Sequence, residues 1–189
     1  MNKQNIRLQT MCTAALLCAI AILVPLVMPI KVVLEPMSFT LASHVAIFIA
    51  MFISPLVGVT VNVGATIGFL FAIPSPVVWL RAASQTVFVL VGGLLLKKNP
   101  HIAQSRAKLF WLGLGLSAIH AACEMLVVTW FYTFGGKYQD QNFLYLIFVL
   151  VGVGTLVHSM VDYYIALAVW KPVCKIVQFP VVLNLRKNK

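Results

Sequence analysis

Apolar residues run along this chain in long blocks, with polar residues confined to short breaks between them. Six stretches carry almost no charge: 8–29, 39–54, 56–73, 76–96, 108–134 and 143–170. About 20 mostly apolar residues suffice for a helix to cross the hydrocarbon core of a bilayer. Pro25, Pro29, Pro36, Pro55, Pro74, Pro76, Pro100 and Pro172 fall at or near the block ends. Proline lacks an N–H and keeps its predecessor out of the helical region, so it punctuates such blocks. The second and third blocks are short, and only Ser54-Pro55 divides them. The longest connection, 97–107, has eleven residues and leaves no room for a soluble domain. The pattern predicts an all-α membrane protein, a bundle of six transmembrane helices forming one integral-membrane domain over 1–189.

Composition narrows the class further. The chain is 61% hydrophobic and 10% charged, against about 45–50% apolar and about 25% charged in ordinary globular domains. A chain of 189 residues buries only roughly 70% of its unfolded surface. The excess apolar surface excludes a soluble enzyme, a disordered chain and a nucleic-acid binder. The net charge of +10 comes from 14 Lys+Arg against 4 Asp+Glu. Lys3, Arg7, Lys97, Lys98, Arg106, Lys108, Lys171, Lys175, Arg186, Lys187 and Lys189 all fall on one set of alternate loops. The other set carries only Lys31 and Lys137, and Arg81 lies within a span. This bias predicts that both termini are cytoplasmic. The first block lacks a small-residue cleavage site after its apolar run, so it reads as a retained helix and not as a signal peptide. Cys12, Cys18, Cys123 and Cys174 form no CxxC pair and read as small apolar residues.

Polar side chains inside spans are costly and turn toward the bundle interior. They are His44, Asn62, Arg81, Gln85, His120, Glu124, His158 and Asp162. Three pairs are spaced i,i+4 and share a helix face: Arg81 with Gln85, His120 with Glu124, and His158 with Asp162. Depth follows from span direction at about 1.5 Å per residue. It places His44, Arg81, Gln85, His120 and Glu124 around one outward-facing pocket. It places Asn62, His158 and Asp162 in the inner halves of their spans. Arg81 either pairs with Glu124 as a structural ion bridge or holds a ligand carboxylate through two parallel bonds. His44 reads as a satisfied interior histidine or a ligand contact. His158–Asp162 reads as structural, and Asn62 as an interhelical hydrogen bond.

Small residues four apart let helices approach closely. Ala15 and Ala19 fit a partner surface or internal packing, and Gly64 and Gly68 fit internal packing. Aromatics near the outer ends, among them Trp79, match an interfacial belt, and one or two could stack on a flat ligand. The tail, 173–189, alternates apolar and basic residues and is expected along the cytoplasmic surface.

Six spans in 189 residues with almost no loops resemble the S components of energy-coupling-factor (ECF) vitamin transporters. Ala15-Leu-Leu-Cys-Ala-Ile20 is similar to the AxxxA segment of their first helix. Ser38–Pro55, the Gly-rich helix 58–68, Leu80-Arg-Ala-Ala-Ser-Gln85 and Ala118-Ile-His-Ala-Ala-Cys-Glu-Met125 are similar to the niacin-type members. The resemblance implies a substrate-binding domain that takes a vitamin from outside. It implies docking through Ala15 and Ala19 on a transmembrane coupling subunit, itself joined to two ATPase subunits. No GxxxxGK[ST] is present, so ATP would be used by the partners, and no cofactor is expected in this chain. Glu35-Pro36 would form a stiff part of the gating loop 31–38. The expected ligand is nicotinic acid, held at its carboxylate by Arg81 and addressed by His44, Gln85 or His120, with Glu124 and Trp79 nearby. Pantothenate would fit the same cluster, and the localisation implied is a bacterial plasma membrane. A different class also remains open: His120/Glu124 with His158/Asp162 resembles a metal site of a membrane metal transporter or metalloenzyme.

Overall fold

The computed structural model describes residues 2–34, 37–72, 75–134 and 142–185. Helix α1 spans Lys3–Val27 and leads into a hairpin of β1 (Lys31–Leu34) and β2 (Met37–Thr40). The strands are antiparallel, with Lys31 opposite Thr40. Then come α2 (Val45–Ile53), α3 (Pro55–Ala72), α4 (Pro76–Ser84) and α5 (Thr86–Lys98). A 3-10 turn, Pro100–Gln104, connects to α6 (Arg106–Phe134). The last helix, α7 (Phe143–Ile176), is π-helical over Leu146–Val153. The protein is all-α apart from the short hairpin. Among the described residues, four helices are long and apolar enough to cross a membrane: α1, α4 with α5, α6 and α7.

The stretch 39–54 differs from expectation. It is not one helix: a strand descends from the hairpin, turns at 41–44, and only then starts the nine-residue α2. At 1.5 Å per residue α2 is about 13 Å long, under half of the hydrocarbon core. Two local features set its ends. Ala42 adopts φ 65, a left-handed conformation that breaks the incoming backbone. Ser54 is extended, as a residue before proline must be, and Pro55 opens α3. The Ser54 hydroxyl then accepts from the Val57 N–H at 3.1 Å.

Because α2 is short, it is enclosed on every side. Residues Ala46 to Ile53 are all buried. Phe48 packs between Phe88 and Tyr163, with ring centroids 5.2 and 5.4 Å away, and Phe52 meets Trp170 at 6.1 Å. Both ends of α2 would leave orphan backbone groups. The tail supplies one set of partners. Val182 N–H donates to the Ile53 carbonyl and Leu183 N–H to the Phe52 carbonyl, at 3.1 and 3.0 Å. Trp170 Nε1 holds the tail by donating to the Leu183 carbonyl at 2.8 Å. Phe179 and Leu183 are buried. Through residue 185 the tail lies across one end of the bundle, with Phe179 and Leu183 turned in and Gln178, Pro180 and Asn184 exposed.

Helix directions follow from close contacts. Gly64 and Gly68 of α3 lie against Cys18 and Ile22 of α1 in the same order, so α1 and α3 run parallel. Gly93 near the end of α5 abuts Pro55 at the start of α3. The beginning of α1, the end of α5, the start of α6 and the tail thus share one end of the bundle. The hairpin occupies the other.

Candidate functional site

A cavity with an open mouth lies below the hairpin. Its mouth is formed by Pro25, Lys31, Phe39 and Phe69, and its floor by His44, Arg81, Gln85, Glu124, Thr155 and His158. Sites for small ligands commonly combine apolar walls with a few convergent polar groups.

A break between helices presents two of these groups. The expected fourth span is interrupted at Gln85, between α4 and α5. Asn62 of α3 pins the break, donating through Nδ2 to the Ala82 carbonyl at 3.2 Å and to Thr86 Oγ1 at 2.8 Å. This is the interhelical role expected of Asn62. Arg81 and Gln85 both line the cavity from this break.

Arg81 Nη2 donates to Glu124 Oε2 at 3.0 Å. The same oxygen accepts from Thr155 Oγ1 at 2.8 Å, and Glu124 Oε1 lies 3.4 Å from His120 Nε2. Arg81 is thus both an ion-pair partner and a cavity wall. Its Nε is buried without a hydrogen-bond partner among the described residues, so donor capacity remains. The guanidinium has five N–H donors in a fixed fork.

Asp162 organises the opposite wall. Its Oδ1 accepts from the Ala42 N–H at 2.8 Å, and its Oδ2 from the His44 N–H at 2.9 Å. It thereby anchors the turn before α2, where the partial positive charge of the helix start favours an anion. Oδ2 is also 3.1 Å from His44 Nδ1. A carboxylate only accepts, so Nδ1 carries the hydrogen and Nε2 is left as an acceptor. Gln85 Nε2 lies 3.1 Å from that nitrogen and donates to it. The Gln85 amide is oriented by this chain, and its Oε1 is buried without a partner among the described residues. Ser43 Oγ, 3.1 Å from His158 Nε2, ties His158 to the same turn.

His158–Asp162 was expected to be too deep for the pocket, and this is corrected. His158 lines the cavity and Asp162 lies directly behind His44. The error came from treating 39–54 as a helix, which set His44 near one face. The descending strand carries His44 down, within 5.0 Å of the His158 ring and 4.8 Å of the His120 ring. His120 is fully buried and touches the cavity only through Glu124 and His44. Trp79 is half-buried on α4 and is not part of the cavity wall. Glu35 and Pro36 lie outside the described residues. Ala15 and Ala19 are exposed on the face of α1 turned away from the bundle, beside exposed Met11, Leu16, Ile20 and Leu23.

Sequence reasoning missed Ser43, Thr155 and the mouth residue Phe39; Lys31, also at the mouth, begins the segment expected to gate the pocket. Thr155 had a signal: Thr155, His158, Ser159 and Asp162 form one polar stripe at spacings of three and four. Ser43 had none, because its role depends on the turn. The metal alternative also regroups. Among the described residues, the side chains whose ligand atoms converge within 4.8 Å are His44, His158 and Asp162. Both Asp162 oxygens are already held by backbone N–H groups.

Comparison with known proteins adds the following. The niacin transporter NiaX of Lactococcus lactis subsp. cremoris is 39% identical to this chain over 183 residues, covering 96% of this chain and 82% of that protein. No family model matches, and no solved structure matches.

Proposed function

Because this chain belongs to the family of niacin-type S components that includes NiaX, we propose that it binds nicotinic acid in the cavity below the hairpin and is the substrate-binding subunit of an ECF transporter. The observation that carries the substrate assignment is Arg81, which lines the cavity with Nε unpartnered. A guanidinium is always charged and matches a carboxylate geometrically. The pyridine ring would then lie among Gln85, His44 and Phe39. The chain works in a cell membrane with the hairpin end outside and the basic end in the cytoplasm, in keeping with the Lys and Arg bias. It is not an enzyme and carries no cofactor of its own. A transmembrane coupling subunit and two ATPase subunits supply the energy.

The test is a binding titration on purified protein without ATP, followed by calorimetry or tryptophan fluorescence. Nicotinic acid is expected to bind, and pantothenate to bind more weakly or not at all. Arg81→Ala is expected to weaken nicotinic acid at least tenfold, about 1.4 kcal/mol or more. Unchanged affinity in that variant would remove Arg81 from the site. Stoichiometric zinc or iron in the purified protein would overturn the vitamin reading.

A further inference from the structure

Charges around the cavity are balanced before any ligand enters. Arg81 is paired with Glu124. Asp162 is held by the turn at Ala42–His44, and Lys31 stands at the mouth. With the imidazoles of His44, His120 and His158 counted as neutral, two cations face two carboxylates among the described residues. A ligand carboxylate therefore brings one uncompensated negative charge into a site largely shielded from water. It must also share Arg81 with Glu124, whose Oε2 already holds Nη2.

The site contains a place for one compensating proton. Glu124 Oε1 and His120 Nε2 are 3.4 Å apart, both residues are buried, and that nitrogen has no hydrogen-bond partner among the described residues. The other imidazole nitrogen, Nδ1, lies 3.3 Å from the Ser159 hydroxyl, which can accept from it. His120 can thus carry hydrogens on both nitrogens and find an acceptor for each. The other groups facing Glu124 are Arg81 from α4 and Thr155 from α7. Cys123 precedes it in α6, and His44 from the turn faces His120. Neither Arg81 nor the hydroxyl can take up the proton. His44 and His158 both stand beside Asp162 and are held by hydrogen bonds to Gln85 and Ser43, whereas His120 Nε2 faces a carboxylate with no hydrogen-bond partner of its own among the described residues.

We propose that a carboxylate ligand enters this site together with one proton from solvent, which lodges between His120 and Glu124. The protonated pair is electrically neutral and holds Glu124 without Arg81. The guanidinium is then free for the ligand, and the overall charge of the site returns to zero. Glu124 is on this view a positioning residue: it acts on the ligand through Arg81. This inference rests on the nicotinic acid assignment above and specifies the form in which the acid is taken up, as anion plus proton.

The experiment is isothermal calorimetry of the full chain in detergent, in buffers of differing ionisation enthalpy. The slope of observed heat against buffer enthalpy counts protons taken up. About one proton per nicotinate is expected for the unaltered protein, and none for nicotinamide, which is uncharged. Nicotinate affinity should fall up to tenfold per pH unit on the alkaline side. Glu124→Gln, already neutral, is expected to bind nicotinate with no proton uptake. Nicotinate binding with no proton uptake in the unaltered protein overturns the inference and leaves the niacin reading standing. A proton still taken up by Glu124→Gln overturns the assignment to His120–Glu124. Failure to bind nicotinate at all overturns the niacin reading and this inference with it.

Discussion

At the scale of single residues, Asp162 has the most consequence for the shape of the site. One carboxylate accepts from two backbone N–H groups and one imidazole, all on the turn that precedes α2. That turn includes Ala42 at positive φ, a conformation costing about 1–2 kcal/mol for a residue with a side chain. Asp162→Ala would leave both amides without their acceptor in a buried site. Each such loss costs about 1–3 kcal/mol, so a clear fall in thermal unfolding midpoint is expected in detergent. Asp162→Asn keeps one oxygen acceptor and should fall less. Equal midpoints for the two variants would mean that the carboxylate does not hold the turn. The sequence made Asp162 conspicuous as an acid within an apolar block, but not its partners. Those are backbone groups 118 and 120 residues away, which no spacing along a helix can indicate. The Arg81–Glu124 pair was one of two readings open to the sequence, because an intramembrane cation needs either an acid or an anionic ligand beside it, and the two side chains do meet.

At the scale of elements, periodicity and proline placement were enough for the long helices. The expected 108–134 and the observed Arg106–Phe134 differ by two residues. The same signals failed for 39–54. An enclosed short helix and a membrane-crossing one are equally apolar, and hydropathy cannot separate them. Contact between elements depends on glycines whose roles only the structure distinguishes. A Cβ on Gly93 would lie 2.7 Å from the Pro55 Cα, which is backbone and cannot rotate away. A Cβ on Gly115 would meet nothing within 4 Å. Gly93→Ala is therefore expected to cost about 1–3 kcal/mol by overpacking. Gly115→Ala should be neutral or stabilising by up to about 1 kcal/mol through helix propensity. Thermal unfolding of the two variants side by side checks this, and a destabilised Gly115→Ala with an unaffected Gly93→Ala would refute the packing account.

For the whole molecule, the question is which surface is left for a partner once the interior is accounted for. The two small-residue pairs separate here. Gly64 and Gly68 are spent inside the bundle, against Cys18 and Ile22. Ala15 and Ala19 remain exposed on the same α1 helix, flanked by Leu16, Ile20 and Leu23. Only Leu17 and Ala21 of α1 are buried. Helices associate in lipid by close van der Waals approach, for which small residues clear the way. A bulky side chain at Ala15 or Ala19 would project away from the bundle and should leave its fold and the cavity intact. It would hold any approaching helix several ångströms away. Ala15→Trp and Ala19→Trp are therefore expected to bind nicotinic acid with unchanged affinity as purified proteins. Uptake by cells that also produce the coupling and ATPase subunits should be abolished. Cys12→Trp is a useful companion: it also places a bulky group at an exposed position of α1, but outside the Ala15–Ala19 pair, and is expected to reduce uptake less. If uptake persists in both alanine variants, docking does not run through this face. If binding fails in them instead, α1 supports the cavity more directly than its exposure indicates.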